Sequence, residues 1–308
     1  MAGRKAMSAL VDAAEDYLRL RRALGYKLER QGQLLRCFVR YVDVLGADHV
    51  TVDLALDWAT LPKEAQPVWW HLRLGVVRGF AAHQVTIDPR TEIPPTDLLP
   101  RRSGRRTPYL YSTAEITSLM HAAAGLRYPL KAATYETLIG LLACTGMRVG
   151  EAIRLDRADV DLDRGVITVL RSKFGKSRCL PLHESTTRAL VAYARRRDQL
   201  RPRPEHDSFF VSLRGTRLDH SVVDAVFHAL IQAVGLDPSP TGPRAHDLRH
   251  TFAVDTLAAW HRSGVDVGAR LPALSTYMGH ASPSSTYWYL HAAPELLSFA
   301  AQKLEGPK

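Results

Sequence analysis

Hydrophobic positions recur at helical spacing through residues 8–83. Leu10, Ala13, Ala14, Tyr17 and Leu18 mark one face, and Gly25 breaks that run. Leu34, Leu35, Phe38, Val39 and Val42 mark a second helix. Thr51 is placed to cap a third. A fourth runs from about Lys63 to His83 and carries Trp69, Trp70 and Phe80. With few β-branched alternations among them, these segments predict a small helical bundle.

The pattern changes over residues 88–108, where prolines, Gly104 and the arginines Arg101, Arg102, Arg105 and Arg106 gather. That composition predicts an exposed connector, and a basic connector can lie along a phosphate backbone. A helical pattern returns from Tyr109. Ser112-Thr113-Ala114-Glu115 has the form of a capping box and starts a helix that ends near Gly125. Residues 131–144 predict an apolar helix broken at Thr145-Gly146, with a short helix from Arg148 to Leu155. Gly165–Leu170 and Arg178–Leu182 read as two strands of a hairpin. Helices follow at about 184–200, 219–234 and 246–260, and an amphipathic helix starts after Pro294. The expected organisation is a helical domain at 1–88, a basic linker at 89–108 and a second domain at 109–308. The fold class is mainly α with a small antiparallel sheet.

The chain of 308 residues is 46% hydrophobic and 23% charged, which excludes a disordered or fibrous class. Its net charge of +10 is unevenly spread. Residues 1–100 carry 13 basic and 12 acidic side chains, and residues 101–308 carry 28 and 19. A basic C-terminal two-thirds points to a polyanion, with nucleic acid ahead of an acidic membrane surface. Arg195-Arg196-Arg197, Arg201 and Arg203 are further phosphate candidates, weighed against a solvated helix face. Cys37, Cys144 and Cys179 form no CxxC pair, which predicts a reducing compartment. The apolar run Ala6–Val11 is too short for a signal-peptide core. Residues 271–294 lack formal charge but are interrupted by Pro272, Gly279 and Pro283, so no membrane span is expected. The expected location is the cytoplasm, in association with the nucleoid.

Four segments gather basic and nucleophilic groups near structural breaks. Arg148 follows the Thr145-Gly146 break near a helix start, where backbone N–H groups and a forked cation both favour an anion. The plain alternative is a surface pair between Arg148 and Glu151. Lys173 and Lys176 stand on the hairpin turn, where a lysine can reach into a groove or remain solvated. His246 and Arg249 are three apart on one helical face and suit a phosphate. His246 and His250 have metal-ligand spacing, but the intervening Arg249 and the absent HExxH glutamate speak against a metal. Finally, His280 follows Gly279, and Tyr289 stands nine residues further on. A phenol is a poor nucleophile until its proton is taken or its anion is stabilised, which a cluster of cations would do.

In this order, Arg148, Lys173, His246-x-x-Arg249, Gly279-His280 and Tyr289 resemble the tyrosine recombinase, or phage integrase, family. The stretch Ala143–Glu151 is similar to the family's first arginine motif, and the catalytic domain would cover about residues 108–308. Met278 replaces a usual leucine, and His261–Leu274 lengthens the interval between Arg249 and His280. The resemblance implies a metal-independent DNA strand transferase without cofactor. Tyr289 would attack a backbone phosphate and form a 3′-phosphotyrosyl link, with Arg148 and Arg249 on the non-bridging oxygens. Lys173 would be the general acid. Either His246 or His280 would manage the tyrosine proton, with Glu151 and His250 behind them. The implied partners are double-stranded DNA and three further protomers in a tetramer. Integration or transposition of a mobile element is the expected role, with chromosome-dimer resolution, DNA relaxation and a non-catalytic DNA-binding accessory as alternatives. A metal-dependent phosphodiesterase is a further, weaker one.

Overall fold

The computed structural model describes residues 2–99, 107–170, 177–239, 242–280 and 286. The chain divides into two compact units, Met1–Arg106 and Thr107–Lys308.

The first unit contains α1 (Ala2–Ala23), α2 (Glu29–Val44), α3 (Val52–Thr60) and α4 (Pro67–Gln84). Leu10, Ala14 and Leu18 from α1 meet Leu35, Phe38 and Val42 from α2 and Leu74, Val77 and Phe80 from α4. Phe38 and Trp58 meet edge to face at 5.3 Å. Thr51 caps α3, its hydroxyl accepting from the Leu54 N–H at 3.2 Å. The fourth helix starts at Pro67 rather than Lys63, because the residue before a proline is forced out of the helical region. Gln66 is accordingly extended, with ψ 143°.

The second unit contains α5 (Thr113–Ala124), α6 (Pro129–Thr145), α7 (Val149–Ala152), β1 (Val160–Asp161), β2 (Val166–Val169), β3 (Arg178–Pro181), α8 (Glu184–Leu200), α9 (His220–Ala233), α10 (Asp247–Arg262) and α11 (Val267–Met278). The strands form one antiparallel sheet in the order β1-β2-β3, with Ile167 opposite Leu180 in the core. Both halves of the capping box at Ser112 and Glu115 form and start α5. Helix α6 is apolar on nearly every side, as a helix at the centre of a domain must be. It packs against α5, α8 and α10, burying Leu130, Tyr135, Leu138, Ile139, Leu141 and Leu142. Each such side chain contributes about 1.5–3 kcal/mol of burial.

Arg197 departs from its reading as a phosphate candidate. It is only 3% exposed. Its Nη1 donates to the Phe209 carbonyl at 2.8 Å and it pairs with Asp198, so it belongs to the interior and not to a phosphate-facing surface. Arg195 and Arg196 beside it are exposed.

The interval 261–274 is helical over most of its length. It is the last turn of α10, a reversal at Gly264 and most of α11. Val267, Leu271, Leu274 and Met278 of α11 pack on Ala253, Val254, Leu257 and Ala258 of α10 in a cluster of their own. Pro272 lies inside α11 without ending it. Among the described residues, no helix is long and apolar enough to cross a membrane, and all three cysteines are free and exposed.

Candidate active site

Helix α6 ends at Gly146, whose backbone is left-handed (φ 60°). A Cβ there would stand 2.5 Å from Cδ1 of Phe252, so both the turn and the approach of α10 require glycine. The reversal sends Arg148 into the space ahead of α7. Its side chain donates from Nη1 to Glu151 Oε1 at 2.8 Å and from Nη2 to the Gly279 carbonyl at 3.1 Å. Its backbone N–H donates to Glu151 Oε2 at 3.1 Å. The pair between Arg148 and Glu151 thus exists, but it is anchored to a third segment far along the chain.

Arg249 comes from the first turn of α10 and is 2% exposed. It donates from Nη1 to the Gly146 carbonyl and from Nη2 to the Met278 carbonyl, each at 2.6 Å. One guanidinium therefore ties the end of α6 to the end of α11. His246 stands at the residue preceding α10, and its ring meets that of His250 edge to face at 5.0 Å. Among the described residues, no group of three or more His, Cys, Asp or Glu is arranged to hold a metal ion.

Helix α11 ends on Gly279, again left-handed with φ 66°. The Gly279 N–H donates to the Thr276 carbonyl and the His280 N–H to the Ser275 carbonyl, both at 3.0 Å. This paired closure is the Schellman motif, and it fixes where His280 leaves the helix. The ring is held at Nδ1 by the Thr286 hydroxyl at 2.7 Å, and Thr286 is itself buried.

Behind Arg148 stands a residue that the sequence reading did not single out. Arg178, first in β3, has a side chain 9% exposed, and that of Glu151 is 2% exposed. Arg178 grips both carboxylate oxygens of Glu151, at 3.2 and 2.8 Å, and donates from Nε to the Tyr277 carbonyl at 2.8 Å. Burial alone would raise the Glu151 carboxyl. The hydrogen bond and charge of Arg178, together with Arg148, outweigh it and hold the group at about 2. The available signal was strand alternation: Arg178 shares its face with the buried Leu180. Nearby Tyr277 has its phenol pushed up to about 12, chiefly by burial, which keeps it protonated.

Arg148, Glu151, Arg249 and His280 therefore converge on the turn at residues 278–280, with His246 and His250 at the start of the helix that carries Arg249. Lys173, Lys176, Tyr289, Arg101, Arg102, Arg105, Arg106 and the helix expected after Pro294 lie outside the described residues.

Comparison with known proteins gives this arrangement its class. The profile of the phage integrase family matches residues 111–295. The Sinorhizobium fredii integrase/recombinase y4rB is 42% identical over 97% of this chain and 98% of its own length. The chain belongs to the phage integrase family of tyrosine recombinases, DNA strand transferases of site-specific recombination. A second Sinorhizobium fredii integrase/recombinase, y4rE, is 41% identical over 96% of this chain and 95% of its own. The tyrosine recombinase XerD of Halalkalibacterium halodurans is 31% identical over 62% of this chain and 59% of its own. Among solved structures, the Tn1549 transposon integrase in complex with transposon right end DNA is similar in fold, with TM-score 0.67 and 18% identity over 96% of this chain and 99% of that one.

Proposed function

We propose that this recombinase cuts and rejoins duplex DNA through a 3′-phosphotyrosyl intermediate formed by Tyr289, on behalf of a mobile element. The observation that carries the reading is the convergence of Arg148, Arg249 and His280 on one turn, from three distant parts of the chain. Two guanidinium groups and an imidazole held together suit the non-bridging oxygens of a phosphodiester, whose charge redistributes as the phosphorus becomes five-coordinate.

The Tyr289 oxygen attacks phosphorus, and the bond to the 5′-oxygen breaks. Lys173 gives a proton to that leaving oxygen. His246 or His280 takes the phenolic proton. No bond energy is lost to hydrolysis, and a 5′-hydroxyl of another strand reverses the step. The chemistry needs no metal, because the cations are side chains.

The helical domain at 1–88 and the basic linker at 89–108 add contacts to the duplex beyond those made by the catalytic domain at 109–308. Arg101, Arg102, Arg105, Arg106 and Lys176 supply phosphate contacts, which make affinity salt-dependent. Four protomers assemble on two paired sites. An integrative role is favoured over dimer resolution because the relatives that match along nearly the whole chain carry integrase/recombinase names. The deciding experiment offers a nicked duplex, which releases the cleaved end, with EDTA present. A denaturation-resistant protein–DNA adduct is expected, and it disappears in Tyr289→Phe while DNA binding persists. An adduct that survives that change moves the nucleophile to Tyr287. No adduct with the unaltered protein leaves a DNA-binding accessory.

A further inference from the structure

We propose that Arg178 is a positioning residue of strand transfer: from β3 it sets the direction of Arg148 through Glu151 and the seat of His280 through the Tyr277 carbonyl and the hollow beneath Gly279. The inference rests on the reading of Arg148 and His280 as groups that act on the phosphate.

Three observations carry it. First, Arg178 makes a two-pronged pair with the Glu151 carboxylate, whose same two oxygens receive the Arg148 side chain and backbone N–H. The orientation of one guanidinium is thereby passed to the other through a single buried anion. A paired fork fixes angle as well as distance, which one ammonium does not. Second, its Nε holds the carbonyl of Tyr277, two residues before Gly279. Third, a Cβ on Gly279 would stand 2.6 Å from Arg178 Nη1 and 2.8 Å from its Cζ. The guanidinium fills the space that the glycine leaves, directly under the residue preceding His280. Each nitrogen of the Arg178 guanidinium is taken up by Glu151 or by the Tyr277 carbonyl. Its charge is committed inward, to the parts that hold the ligands.

Among the described residues, the charged groups paired with Glu151 are Arg148 from its own turn and Arg178 from β3. The Tyr277 phenol of α11 and the Cys144 thiol of α6 are the further titratable groups of this neighbourhood. Without Arg178, the buried carboxylate keeps its desolvation cost and loses its strongest partner, so it takes up a proton at higher pH. Arg148 then loses its anchor as pH falls.

The test uses the full-length protein and the nicked duplex, with adduct formation followed over a pH series. Arg178→Met is expected to bind DNA as the unaltered protein does and to form adduct about a hundredfold more slowly, the scale of a small misplacement of catalytic groups. Its acid limb is expected to move toward neutrality by about one unit or more. Arg178→Lys restores the charge without the fork, and is expected to recover the acid limb but only part of the rate. Should Arg178→Met fail to fold, Arg178→Lys decides by rate alone: a partial loss at unchanged melting temperature supports the inference, and an unchanged rate overturns it. Unchanged rates and pH profiles in the folded variants overturn the inference. So does, in Arg178→Met, a lower rate that tracks melting temperature with no movement of the acid limb. No adduct with the unaltered protein instead removes the phosphotyrosyl reading, and this inference falls with it.

Discussion

Gly279 and Arg178 occupy complementary space: the missing Cβ of the first is where the guanidinium of the second lies. Gly279→Ala would place a methyl group there and also put a side chain on a left-handed backbone, which costs about 1–3 kcal/mol. The expected outcome is a modest fall in melting temperature, intact DNA binding and a severe loss of adduct formation. Gel shift and adduct yield on the same samples separate the two effects.

Acid should weaken this fold in a way that Glu151 accounts for. The carboxyl is held at about 2 against its ordinary 4.5, burial opposing and the arginine pairs prevailing. A carboxyl depressed on folding contributes stability that is complete above its unfolded pKa and disappears as pH falls through the folded one. The window therefore runs from about 4.5 down to about 2. At roughly 1.4 kcal/mol per unit, the contribution at neutral pH is about 3 kcal/mol. Denaturant titrations from neutrality into that window should show the decline in the unaltered protein. Glu151→Gln should start less stable and decline less.

Arg249 is a structural bridge as well as a phosphate candidate. Arg249→Met keeps the stem but strips the Gly146 and Met278 carbonyls of their donor. Unsatisfied buried acceptors cost about 1–3 kcal/mol each, so a loss of about 2–5 kcal/mol is expected in urea unfolding. Arg249→Lys, a point donor in place of a fork, should recover only part of it.

Arg197 gives the opposite test. Arg197→Met should lower stability by about 1–3 kcal/mol through the lost Phe209 carbonyl bond. The dependence of DNA affinity on salt concentration should not change, because the side chain does not reach solvent. A shallower salt slope would return Arg197 to the DNA-binding surface.

Local chemistry made much of the fold readable in advance. The Ser112 capping box, the Thr51 cap, the apolar run of α6 and the alternation of β2 each report their element within a few residues. The convergence of Arg148, Glu151, Arg249 and His280 was readable only as motif spacing, because the bonds from Arg148 to Gly279 and from Arg249 to Gly146 each span more than a hundred residues. Helix α11 escaped notice because Pro272 interrupts it in sequence and its support comes from α10. Strand β1, two residues long, has no periodicity to read. Arg197 sits in a run of three arginines, and only the tertiary position of the Phe209 carbonyl marks it as buried. Arg178 has the same difficulty: its partners are a glutamate on another element and a carbonyl at the end of α11.

The small apolar cluster shared by α10 and α11 gives the turn at residues 278–280 a thermal fuse. Met278, whose carbonyl holds Arg249, is also one of the eight buried side chains of that cluster. Warming is expected to loosen this interface, with Arg249 and His280, before the larger core around α6 gives way. Strand exchange would then cease, reversibly, below the temperature at which the protein melts.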